Sequence, residues 1–124
     1  MANSFEDLEL YKKARELRKD IYILIRKLPA EEKYVLMPQM RRAANSITNN
    51  IAEGIGRYHY QENIQFCRQA RGSITEIIDD LNICLDEKYT DSVEITTLKT
   101  RAYEIIKILN GYIASQRKRK DVGL

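Results

Sequence analysis

Four times along this chain apolar side chains recur at steps of three and four residues, and that rhythm constrains the fold more than any other feature. Leu10, Ala14, Leu17, Ile21, Leu24 and Leu28 form the first series, and Met40, Ala44, Ile47, Ile51 and Ile55 the second. Tyr60, Ile64, Cys67, Arg71, Ile74, Ile78, Leu81 and Leu85 form the third, in which one position is an arginine; Ile95, Leu98, Ala102, Ile105, Leu109 and Tyr112 form the fourth. Such spacing places each series on one side of a helix, which must then be covered by other helices. The punctuation agrees. Asn3 or Ser4 caps a first helix over Phe5 to Leu28, and Pro29 ends it. Residues 30–37 make a loop or short helix, Pro38 suits a first helical position, and Gly54 and Gly56 weaken the second helix. The third runs from Tyr60 to about Glu87, and Thr90 or Asp91 caps the fourth. Only five glycines and two prolines interrupt the 124 residues, and tryptophan is absent, so nothing favours sheet. Four helices joined by short connections predict an all-α fold, an up-down-up-down antiparallel four-helix bundle.

A chain of this length buries roughly two-thirds of its unfolded surface, enough for one domain without metal or disulfide. The expected domain is residues 1–116, with 117–124 a basic, flexible tail. The charge supports that division. Of 21 bases and 18 acids, four bases and one acid fall in residues 117–121, which leaves 17 of each sign in residues 1–116. The body is neutral, and nucleic-acid contact must start from the tail or from local clustering. No window approaches the ~20 uncharged apolar residues of a membrane span, and the first seven residues lack the basic start and apolar core of a signal peptide. A cytoplasmic protein with no membrane partner is expected.

On the third helix Phe66, Ala70, Ile77, Leu81 and Cys84 widen the apolar sector to roughly 160°, beyond the ~100° stripe that faces a single core. On the first helix Leu8, Tyr11 and Tyr22 form a flank, with Arg15 and Arg18 nearby. Either the bundle makes broad contacts on both sides, or these strips serve self-association.

Catalytic chemistry lacks its parts. Di-iron bundles need Glu-x-x-His pairs on two helices, and His59 is the one histidine, in a loop. Cys67 and Cys84 lie 17 residues apart on one helix, about 26 Å, against the ~7 Å that a disulfide spans. They read as reduced packing residues. No base accompanies Cys67. We therefore expect no enzyme, catalytic residue, metal, cofactor or small-molecule substrate. The acidic group Glu76, Asp79, Asp80, Asp86 and Glu87 reads as an outward, solvated helix face.

The basic residues are more informative, because between Lys33 and Lys88 every one is arginine: Arg41, Arg42, Arg57, Arg68 and Arg71. Arginine presents a planar fork to carboxylate or phosphate. Two readings stay open. The arginines anchor pairs between helices or subunits, as Glu53 and Arg57 at i, i+4 suggest, with Arg71 structural at the edge of the apolar sector. Alternatively, they form a phosphate-contacting patch at the turn after the second helix, where Tyr58 and Tyr60 stack on unpaired bases. The run from Asn45 to Ala52 is rich in Asn, Ser and Thr, poor helix formers that need compensating contacts. Gly72 and Ser73 are the expected low-profile surface facing it, in a packing or subunit contact.

Gln39-Met40-Arg41-Arg42-Ala43-Ala44-Asn45-Ser46-Ile47, continuing through Asn50-Ile51-Ala52-Glu53-Gly54, resembles the 23S ribosomal RNA intervening-sequence proteins. Phe5 with Leu8, Leu28-Pro29 with Glu32 and Leu36, and Gly72-Ser73 with Glu76 extend the match. The resemblance implies a small bacterial four-helix bundle that assembles as a homopentamer. It also implies relatives encoded within ribosomal RNA genes or standing alone, and kinship to the accessory protein of diversity-generating retroelements, a partner of reverse transcriptase and RNA. Arg41, Arg42, Ser46, Asn50, Glu53, Gly54, Gly72, Ser73 and Glu76 transfer as fold and assembly determinants, with no catalytic residue among them. The expected function is a non-enzymatic, self-associating bundle that binds RNA or a ribonucleoprotein. Its contact residues would be Arg41, Arg42, Arg57, Arg68, Arg117, Lys118, Arg119 and Lys120. The alternative is a structural or protein-partner scaffold without nucleic-acid affinity.

Overall fold

The computed structural model describes residues 4–57 and 59–123; Asn3 as a cap and Tyr58 as a stacking residue lie outside them. The apolar series become four helices: α1 (Glu9–Arg26), α2 (Leu36–Gly56), α3 (Tyr60–Asp86) and α4 (Ser92–Asp121). The first is shorter than its series suggests. Ser4 caps a separate 3-10 turn, Phe5–Asp7, by accepting from the Glu6 N–H, while Asp7 accepts from the Ser4 N–H. Leu8 is then extended, and α1 begins after it. A second 3-10 turn, Ala30–Glu32, fills the first connection. Pro38 sits two residues inside α2, where the early N–H groups have no helical acceptor and its missing donor costs nothing.

The α3–α4 connection closes by hydrogen bonding. The Lys88 N–H donates to the Leu85 carbonyl and the Tyr89 N–H to the Cys84 carbonyl, with Lys88 left-handed at φ 60°. This is the Schellman arrangement, and it satisfies carbonyls that the helix end would otherwise orphan. Asp91, not Thr90, caps α4, accepting from the Glu94 N–H at 2.8 Å. That helix runs on through Asp121, so residues 117–121, expected in the flexible tail, are helical backbone.

Cross-helix pairs establish the alternating directions. Arg18–Thr48 and Tyr22–Asn45 join α1 to α2, Ser46–Ser73 and Gln39–Asp80 join α2 to α3, and Asn63–Tyr112 and Lys99–Asn82 join α3 to α4. Lys13–Glu104, Asp20–Arg101 and Lys27–Glu94 close α4 back onto α1. In every set the residue number rises on one helix as it falls on the other, which is antiparallel packing around a ring. The core is continuous, with Leu17, Ile21, Met40, Ile47, Ile51, Ile74, Ile77, Leu81 and Ile105 among its enclosed side chains. The wide arc of α3 is spent inside one chain: Ala70, Ile77, Leu81 and Cys84 are all buried because α3 packs against both α2 and α4. Among the described residues, no helix is long and apolar enough to cross a membrane.

Candidate nucleic-acid interface

Helix geometry decides which of the expected contact residues meet. Arg41 and Arg42 lie in the first half of α2, and Arg57 caps its far end. Fifteen residues of helix separate Arg42 from Arg57, about 22 Å along the axis. The arginines from 41 to 71 are therefore two groups.

The second group is joined by the end of α4. Asn63 donates to the Tyr112 hydroxyl at 3.0 Å, which fixes the register of α3 against α4. Three residues of α3 precede that level, while nine residues of α4 follow it, so α4 overhangs by about 9 Å. Arg117, Lys118, Arg119 and Lys120 are exposed on this overhang, at the same end of the bundle as Arg57. Arg68 is exposed one turn before Arg71, whose guanidinium donates to Asn110 of α4 at 2.6 Å. Acids share this end: Glu53 and Glu62 hold Arg57 at 3.3 and 3.6 Å, and Glu6 and Asp7 lie at the start of the chain. The exposed His59 ring lies 3.9 Å from Glu62.

At the first group, the Arg41 guanidinium lies 4.5 Å over the Tyr22 ring, a cation–π contact that orients it. Tyr22 in turn donates to Asn45 Oδ1. Among the described residues, neither Arg41, Arg42 nor Arg68 has a carboxylate within salt-bridge distance. Of the arginines between Lys33 and Lys88, only Arg57 makes, among the described residues, the carboxylate pairs expected of a structural role.

Asp80 corrects one expectation. Instead of facing outward with Glu76 and Asp79, it is buried, 1% exposed. Its Oδ1 accepts from Gln39 of α2 at 2.6 Å, and its Oδ2 has no partner. Burial pushes its carboxyl up to about 6 against the opposing effect of the Gln39 hydrogen bond. Its position three after Ile77 and four before Cys84, both buried, was the available signal. Burial likewise raises the thiols of Cys67 and Cys84 to about 11, the reverse of a reactive cysteine. No cluster of three or more metal-ligating side chains occurs among the described residues.

The model of the family described as 23S rRNA-intervening sequence protein matches residues 6–111. The chain belongs to that family. Its fold is similar to a crystal structure of a protein of unknown function from the S23 ribosomal protein family of Bacteroides thetaiotaomicron. The two share 24% identity at a TM-score of 0.78, over 84% of this chain and 97% of that one. Among curated proteins none matches significantly.

Within the stretch that carries the family resemblance, Ser46 is a crossing point. Its Oγ accepts from Asn50 Nδ2 at 2.9 Å and from Ser73 Oγ at 2.8 Å. These bonds compensate the weak helix formers of α2 across the α2–α3 seam. Gly54 allows close approach there, since a Cβ at that position would meet Phe66 Cβ at 2.9 Å and the Asn63 carbonyl oxygen at 3.3 Å. Gly72 differs: a Cβ there meets nothing within 4 Å among the described residues, so the low-profile surface facing Ser46 is Ser73 alone. Glu76 is exposed and forms no ion pair among the described residues.

Proposed function

We propose that the protein is a non-enzymatic, self-associating cytoplasmic bundle that binds RNA or a ribonucleoprotein through its arginine and lysine surfaces. The observation that carries this reading is the gathering of Arg57, Arg68 and the Arg117–Lys120 run toward one end of the bundle, by the overhang of α4. Arg41, Arg42 and Arg68, without carboxylate partners among the described residues, have forks to offer phosphate. Cys67 and Cys84, buried and unbridged, fit a reducing compartment. Ile23 and Tyr103, 50% and 56% exposed, are apolar surface that assembly would cover, and a five-membered ring is the assembly the family resemblance implies.

Binding of this kind is electrostatic and weakens as salt rises. Replacing Arg117, Lys118, Arg119 and Lys120 by Ala is expected to weaken binding to structured RNA and flatten its salt dependence, read by fluorescence anisotropy from about 50 to 200 mM salt. Identical binding by both proteins, or none by either at the lower salt, would overturn the reading. Light scattering on the unmodified protein tests assembly, and a monomer would remove self-association.

The Glu53–Arg57–Glu62 cluster and the Ser46–Asn50–Ser73 bonds favour a second reading, a scaffold whose polar residues serve packing alone. Arg42→Ala separates the two. An intact assembly with weakened RNA binding supports the first; loss of the assembly supports the scaffold.

A further inference from the structure

The outer face of α2 carries a second periodic series, turned away from the core. Pro38, Arg42, Asn45, Asn49, Ala52 and Gly56 recur at steps of four and three, the spacing of one continuous strip along a helix. Two shallow hollows of about 470 and 490 Å³ follow this strip and share Asn49 as a common wall. Together they make a nearly flat, open track of about 27 Å from Pro38 to Gly56, the length of up to about eight nucleotides at the ~3.4 Å spacing along a stacked strand.

The lining is chemically polarised. From Leu36 to Ala52, α2 has two bases, Arg41 and Arg42, and no acid. Arg41 is aimed by the Tyr22 ring, and Arg42 has no ion-pair partner among the described residues. The one acid in the lining, Glu53, is paired with Arg57 at 3.3 Å, a guanidinium that it shares with Glu62. Asn45 Oδ1 accepts from the Tyr22 hydroxyl, which leaves the amide N–H groups of Asn45, while the exposed Asn49 makes no side-chain hydrogen bond among the described residues. Two guanidinium groups at one end of a floor of short amides can hold phosphates while the amides meet base edges. Duplex RNA fits that division poorly: its major groove is too deep and narrow for side chains to read, and its shallow minor groove is met mainly through 2′-hydroxyls and phosphates on both strands, with the Watson–Crick edges already paired. An unpaired strand shows its Watson–Crick edges and bends along a shallow track.

We infer that the outer face of α2 binds single-stranded RNA, with phosphates on Arg41 and Arg42 and base edges on Asn45 and Asn49. The inference rests on the RNA-binding reading above and specifies its ligand and track. The test uses the full chain with labelled octamers of uridine and of adenosine and a duplex of equal length, measured by anisotropy at about 50 mM salt. Single strands are expected to bind at least tenfold more tightly than the duplex. Asn49→Asp, which puts a charge in the middle of the exposed face, is expected to weaken single-strand binding at least tenfold. Ala52→Arg is expected to tighten it about threefold. Equal affinity for duplex and single strand, or RNA binding unchanged by both variants, would overturn the inference and leave the broader reading standing. Dissociation of the assembly by Asn49→Asp with RNA binding intact would assign the face to a second copy of the chain and also overturn it. No binding of any RNA by the unmodified protein would remove both.

Discussion

Asp80 occupies the α2–α3 seam with one carboxylate oxygen bonded to Gln39 and the other to nothing. Arg42 of α2 bears on it weakly from outside, and Glu76 and Asp79 of its own helix oppose its ionisation. Because its folded value is raised to about 6, its contribution to stability is complete below the ordinary carboxylate range and is lost as pH rises through about 6. Asp80→Asn is therefore expected to stabilise the protein at pH 7 by about 1–2 kcal/mol and to flatten stability between about pH 4 and 6, measured by urea unfolding. Gly54 predicts the opposite sign. Its Cβ would press on Phe66 Cβ and a backbone carbonyl, neither of which can swing aside, so Gly54→Ala is expected to cost about 1–3 kcal/mol, read as a lower thermal midpoint. Burial at these two positions was not equally legible. Gly54 lies in a helix pattern where a glycine asks for a packing reason. Asp80 reads as polar and therefore outward, and only the presence of a helix on each side of α3 turns its position inward.

The elements were more legible than their ends. A seam of period 3.6 survives any neighbour, so Leu17, Ile51, Ile74 and Leu109 are buried where the spacing puts them. The ends depend on single hydrogen bonds. Ser4 has a capping side chain, yet the turn that it caps is interrupted at Leu8. At the end of α3 a lysine takes the left-handed position usually given to glycine, a conformation that costs a residue with a Cβ about 1–2 kcal/mol. Lys88→Gly is expected to raise stability by about 0.5–1 kcal/mol, detectable as a higher midpoint in denaturant with an unchanged slope. Lys88 is exposed and forms no ion pair among the described residues, so only the greater conformational freedom of glycine in the unfolded chain offsets the relief.

At the scale of the whole molecule, linear order misled. Arg41 to Arg71 looks like one basic stretch, but a helix spreads it over two levels of the bundle, and the α4 overhang adds to one of them a run that lies some fifty residues away in sequence. Only the antiparallel return of a 30-residue α4 brings those charges to Arg57. Helical backbone at residues 117–120 has a further effect. Successive residues turn by about 100°, so Arg117, Lys118, Arg119 and Lys120 radiate around the axis like spokes, and a nucleic-acid strand lying along one side touches about two of them. Removing all four should lower the logarithmic salt slope by only about 1.5, where a limp tail free to lay every charge on phosphate would lose about 3. The overhang thus trades grip for reach, offering a similar hold to a strand arriving from any direction.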